Sequence, residues 1–145
     1  MVNFVDRQIL SILLESIRQD LQFNDLQLGL LGGLAFAIFY ATLGIPIAML
    51  ADRKNRVKIL SAAMVVWSIM TAVCGLANNF ITLLLARIGV GVGEAGASPP
   101  SHSLISDYFP SSTRATALSI YSLGIPVGSF IGTTVGGWGA DELGW

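Results

Sequence analysis

The chain has 145 residues, 53% of them hydrophobic and 12% charged, with 16 glycines and a mean hydropathy of +0.69. A soluble domain carries about 25% charged residues and roughly 7% glycine, and a disordered or collagen-like chain would not be this apolar. A formal charge of −1 gives no basic field for nucleic acid, and the single cysteine, Cys74, excludes a disulfide framework and a cysteine-built zinc site.

The first predicted element, residues 1–17, is short for a membrane span and carries Asp6, Arg7 and Glu15, so it would insert poorly by itself. It lacks the basic start and apolar stretch of a signal peptide. It reads as the outer part of a helix whose beginning is missing, and the chain as a piece of a longer protein. The following loop, residues 18–25, sets Arg18 against Asp20 and Asp25.

Residues 26–51 form the second span, an uncharged window against the roughly 20 residues that a helix needs to cross the hydrocarbon core. The loop at residues 52–58 then collects Arg53, Lys54, Arg56 and Lys58, and the third span, residues 59–77, runs uncharged to the neutral pair Asn78 and Asn79. Core helices of a soluble protein would present charged faces at 3.6-residue spacing, and these windows present none. Basic residues in short loops mark the cytoplasmic side, which puts residues 52–58 and 107–114 inside and residues 18–25 outside. The expected location is a multi-pass protein of the plasma membrane, the inner membrane in a bacterium, with the lipid bilayer as its first partner.

The fourth span, residues 80–106, contains Arg87 and Glu94. Counted from Asn79 at 1.5 Å per residue, they sit roughly 12 and 22 Å deep, where an ionisable group is a functional-site candidate by default. They share a helix face about 10 Å apart, so each needs another partner. Asp6, also inside a span, is the expected counter-charge for Arg87. A carboxylate there resists ionisation unless a cation faces it, which makes a proton site that movement of the arginine can switch. Gly91, Gly93 and Gly96 fit G-x-G-x-x-G, but no acidic residue occurs between Ser111 and Ala140 and no βαβ unit surrounds the motif, so a dinucleotide enzyme is excluded. Pro99 and Pro100 are expected to kink this span, and His102 reads as a satisfied interior histidine with a proton relay as the alternative.

The loop at residues 107–114 holds Asp107 and Arg114, and the fifth span covers residues 115–138. Gly124, Gly128, Gly132 and Gly136 recur every four residues along it. Small-residue ridges let helix backbones approach closely in lipid, so these positions are expected to pack against a neighbouring helix, with a kink at Pro126. Gly29 with Gly33, and Gly89 with Gly93, repeat the spacing.

The segment Ala51-Asp52-Arg53-Lys54-Asn55-Arg56, between the second and third spans, resembles the signature loop of the major facilitator superfamily, with Ala48 and Asn55 where that family has glycine. The resemblance implies a cytoplasmic gate of Asp52, Arg53, Arg56, Asp107 and Arg114, in which Asp52, Arg56 and Asp107 latch the inner side while the outside is open. Four further stretches are similar to the Spinster-type branch: Asn3 to Arg7, Arg87 to Ala95, Ser103 to Pro110, and Ser119 to Gly128. That branch implies proton-dependent export, with lysolipids or sphingolipids carried by animal members, and its proton-coupling trio falls on Asp6, Arg87 and Glu94.

The expected fold is therefore an all-α integral membrane bundle, part of the N-terminal six-helix half of such a transporter, about five helices with the first truncated. The expected function is proton-coupled secondary transport of a small, lipid-like or amphipathic substrate, not enzyme catalysis. Its partners would be protons, the substrate and the missing C-terminal half of the same protein; no cofactor, metal or nucleic acid is called for. The alternative is a small helical membrane protein that serves assembly or a partner subunit.

Overall fold

The computed structural model describes residues 2–142; Met1 and residues 143–145, which end the predicted first span and the chain, lie outside the described residues. The described residues form α1 (Val2–Leu21), α2 (Asp25–Gly29), α3 (Ala35–Arg53), α4 (Arg56–Gly75), α5 (Phe80–Ala95), α6 (Ser98–Tyr108), α7 (Ser111–Ser122) and α8 (Gly124–Glu142), with a π-helical turn, Leu30–Leu34, between α2 and α3. The stretches Asp25–Arg53, Arg56–Gly75, Phe80–Tyr108 and Ser111–Ala140 are each long and apolar enough to cross a membrane. α1 carries Asp6, Arg7, Glu15 and Arg18 and is not among them.

Asparagines start α2, α4 and α5. Asn24 and Gln27 cap α2 reciprocally at 2.8 and 2.9 Å, Asn55 accepts from the Lys58 amide at 3.1 Å, and Asn79 accepts from the Thr82 amide at 2.9 Å. Each satisfies an amide that the first helical turn leaves unpaired. Asn55 therefore serves in extended conformation as the N-cap of α4. α1 ends on Gln22 in the left-handed region, φ 54°, and the Phe23 amide closes the turn on the Arg18 carbonyl at 3.2 Å. Phe23 is thereby turned inward, edge-to-face on Phe80 with ring centroids 5.4 Å apart.

Breaks in the helices follow proline and glycine. The fourth span divides at Gly96 and Ala97, placing Pro99 and Pro100 in the first turn of α6, where a missing amide costs least. The fifth divides at Leu123, just after Ser122, whose carbonyl would have bonded the amide that Pro126 lacks. The π turn was not expected from sequence: the Ala35 amide reaches back five residues to the Leu30 carbonyl, and Gly33 leaves helical geometry. The widened turn accommodates Leu31, which is fully buried.

Two glycine ridges hold the bundle. On α8, a Cβ at Gly132 would lie 2.8 Å from the Val5 carbonyl oxygen and Gln8 Cβ, and one at Gly136 would lie 3.2 Å from Ile9 Cα. Gly128 is buried on the same ridge and Gly124 partly buried. On α5, Gly89 abuts Met70, Gly93 abuts the Trp67 backbone at 2.8 Å, and Gly96 abuts Ala63 at 2.8 Å. The G-x-G-x-x-G run is thus helix-packing surface: Gly91 meets Phe36 while Gly93 and Gly96 meet α4. Gly29 and Gly33, expected to pack likewise, have nothing within 4 Å among the described residues, because the π turn rotates them off any neighbour. α5 is the central helix and buries Leu83, Arg87, Val90 and Glu94, whereas Ile45, Val65, Ile69 and Phe130 stay exposed on outer faces. Such a rim of exposed apolar side chains suits a helix bundle in lipid.

Candidate functional site

Four charged side chains meet where α1 crosses α5. Asp6 and Arg7 are neighbours on α1, about 100° apart around the helix, so they project to different sides. Arg87 and Glu94 lie two turns apart on the buried face of α5. Glu94 is 1% exposed and Arg87 6%.

The ion pair joins Arg7 to Glu94. Arg7 donates from Nε at 3.0 Å and from Nη2 at 2.5 Å, both to Oε2, and among the described residues the buried Glu94 Oε1 has no hydrogen-bond partner. Aromatic rings hold the same guanidinium: it lies 4.5 Å from the Phe36 centroid, 5.5 Å from Tyr40 and 5.6 Å from Phe4. Arg87 lies 5.3 Å from Phe36, so one ring sits against both cations.

Asp6 does not pair with Arg87, contrary to the sequence expectation. Its Oδ2 accepts from Trp67 Nε1 at 2.7 Å and from Thr71 Oγ1 at 3.3 Å, two α4 side chains one turn apart. Among the described residues Arg87 makes no hydrogen bond or ion pair, and its Nε is buried and unpartnered. Arg7, Trp67 and Thr71 join the site without having been expected there, since the sequence marks Arg87 as the one cation beside Glu94. A usable signal was present: counting Arg7 balances two acids with two bases, and Trp67 and Thr71 have the i, i+4 spacing of one helix face.

Cavities surround this cluster. One of about 560 Å³ is lined by Arg7, Phe36, Tyr40 and Arg87 among others. A second, about 200 Å³, brings Arg7 together with Asn3, Tyr40, Ser98, His102 and Tyr121. His102 is exposed to that space rather than interior; its Nδ1 is 2.9 Å from the Ser98 carbonyl and so carries a hydrogen, and its ring stands edge-to-face on Tyr121.

At the opposite end of α5 and α6, Arg56 and Asp107 form an ion pair between the starts and ends of neighbouring spans. Asp52 and Arg53 are exposed at the end of α3 and join no ion pair among the described residues. Arg114 donates from Nη2 to the Ser106 carbonyl at 2.9 Å, tying α7 to the end of α6. The structure thus brings together Arg56 and Asp107 of the predicted gate and leaves Asp52 and Arg53 apart from them.

Residues 1–145 match the sequence profile of the Major Facilitator Superfamily. An MFS-type efflux pump of Mycolicibacterium smegmatis is 35% identical over 144 residues, 99% of this chain and 34% of that protein. The sphingosine-1-phosphate transporter SPNS2 of Danio rerio is 34% identical, over 99% of this chain and 29% of its own length. The crystal structure of a bacterial homolog to the human lysosomal transporter Spinster, inward-facing and occupied, superimposes with a TM-score of 0.91 at 50% identity, covering 97% of this chain and 30% of that one. The chain spans about a third of the length of these relatives.

Proposed function

The chain belongs to the Major Facilitator Superfamily, and from that premise we propose that it is part of a proton-coupled secondary transporter exporting a small amphipathic or lipid-like organic substrate across the plasma membrane. The observation that carries the reading is the Glu94 carboxylate, which is fully buried with both Arg7 donors on Oε2 and an orphaned Oε1. An ionised oxygen buried without a donor is costly, and a proton is the simplest group that relieves it. Protonation neutralises Glu94 and releases Arg7 toward the cavity shared with Tyr40 and His102. A substrate that interacts differently with held and released Arg7 is then linked to the proton, since only differential binding shifts a conformational equilibrium.

Asp6 and Arg87 complete the proton-coupling cluster, and Arg56 with Asp107 acts as the cytoplasmic latch that Asp52, Arg53 and Arg114 border. The loops at residues 52–58 and 107–114 face the cytoplasm in this reading. The rest of the transporter supplies the other wall of the path, because substrate sites of such proteins lie at the interface of repeats.

The test is transport by the full-length protein in vesicles with an imposed pH gradient, using fluorescent amphipathic probes including a lysophospholipid and a cationic dye. Glu94→Gln and Arg87→Ala are expected to insert normally and lose gradient-driven transport. Undiminished gradient-driven transport in both variants would overturn the coupling.

A further inference from the structure

A cavity of about 200 Å³ lies between α1, α4 and α5, lined at one end by Asp6 and Arg87 and at the other by Ile17, Gly75 and Leu83. Gly75 and Leu83 are within about a turn of the Asn78–Asn79 connection, so the cavity leads from that end of the bundle to the charged cluster. Among the described residues, Leu10 and Arg87 are the lining residues it shares with the larger cavity that Arg7, Phe36 and Tyr40 border. The two spaces therefore adjoin at Leu10 and Arg87 and are otherwise lined by different residues.

The inner end of the space is polar enough to hold water, while Leu13, Ile17 and Leu83 make the end toward Asn78–Asn79 apolar. Its volume far exceeds the roughly 10–15 Å³ that one water requires, and a buried water needs two to four polar partners. Asp6, Thr71, the Cys74 thiol and the guanidinium of Arg87 all line it. Arg87 is 6% exposed and makes no hydrogen bond among the described residues, so a buried side chain with an unsatisfied donor lines the cavity. The charged and titratable groups around it are Asp6 and Arg7 from α1, Cys74 from α4 and Glu94 from α5; α3 adds the Phe36 face.

We propose that this cavity is a hydration site conducting protons between the Asn78–Asn79 end of the bundle and Asp6, by a route separate from the Arg7–Tyr40 cavity, which is left to the substrate. It rests on the proton-coupled reading above and adds a path to it. Water bridging Arg87 to Asp6 satisfies the guanidinium and gives the carboxylate a hydrogen-bonded connection outward, while the substrate cavity need not hydrate for Asp6 to load.

The experiment follows Asp6 itself, so no transport substrate is required. In the full-length protein in lipid vesicles, protonation after a pH jump on the Asn78–Asn79 side is read from the carboxyl infrared band that Asp6→Asn removes. Cys74→Trp, which fills the cavity, is expected to slow this step at least tenfold, and Ala41→Trp, which fills the other cavity, to leave it within about twofold. Gly75→Leu repeats the test near the mouth, where a Cβ meets nothing within 4 Å among the described residues and the fold is not strained. An unchanged rate in both Cys74→Trp and Gly75→Leu overturns the route, as does equal slowing by Ala41→Trp or the lack of any Asp6 signal. Slowed loading in a protein whose Glu94→Gln variant still transports normally would retain the route and reject the coupling.

Discussion

Arg7 and Glu94 lie 87 residues apart in the chain and meet through two donors on a single carboxylate oxygen. The pair crosses from α1 to α5, so it fixes the first helix against the central one. Glu94 is buried while Arg7 is 35% exposed. Removing the arginine leaves the buried carboxylate uncompensated, at a cost below the roughly 3–5 kcal/mol of a fully buried pair, whereas neutralising both costs much less. Arg7→Ala is therefore expected to lower thermal stability in detergent markedly, and Arg7→Ala combined with Glu94→Gln to recover most of the loss. Additive effects in the double variant would show that the two side chains act independently.

The glycine ridge gives a prediction with an internal control. An alanine methyl at Gly132 would meet the Val5 carbonyl oxygen at 2.8 Å, and backbone cannot swing away as a side chain can. Gly132→Ala should destabilise the α1–α8 contact by about 1–3 kcal/mol, the usual range for overpacking. Gly137→Ala, whose Cβ has nothing within 4 Å among the described residues, should be neutral or stabilise by about 1 kcal/mol through helix propensity. Equal melting shifts in the two variants would contradict close approach at Gly132.

The helical spans could be read from sequence because they follow from where charges are absent. Three uncharged windows mark the second, third and fifth spans, and the charges inside the fourth, Arg87 and Glu94, are the ones the fold buries. Partner choice was not readable the same way. Whether Asp6 or Arg7 is the α1 residue that reaches Glu94 depends on how α1 is rotated about its axis, and α1 is seated on α8 through Gly132 and Gly136. The same holds for Asp6, whose partners Trp67 and Thr71 come from α4. The π turn escaped because a Gly-Gly pair inside an apolar run is compatible with either a straight helix or a widened turn.

Arg56 and Asp107 join neighbouring spans at the end of the bundle opposite Asn78 and Asn79, and both remain accessible. An exposed ion pair contributes about 0–1 kcal/mol, too little to alter melting but enough to shift a balanced equilibrium several-fold. Asp107→Asn and Arg56→Ala are each expected to leave thermal stability nearly unchanged while altering the labelling rate of cysteines placed on the inner side of the cavity. The charge-reversed double variant, Arg56→Asp with Asp107→Arg, should restore the parental rate. Failure of the reversal to restore it would remove the direct pair from the latch.

Trp67 both packs and donates, and the two contributions can be separated. Its backbone and Cβ seat Gly93, while its Nε1 donates to Asp6 at 2.7 Å. Trp67→Phe keeps an aromatic ring on the ridge and removes only the donor, leaving Thr71 at 3.3 Å as the remaining contact to that oxygen. An acceptor that loses its partner in a buried site costs about 1–3 kcal/mol, more when it is charged. Trp67→Phe is thus expected to destabilise the parent protein by that amount and a protein already carrying Asp6→Asn by less, because a neutral amide oxygen needs the indole donor less than a carboxylate does. A thermodynamic cycle over the four proteins reads the difference directly. Equal losses in the two backgrounds would mean that the indole acts at this crossing through packing alone.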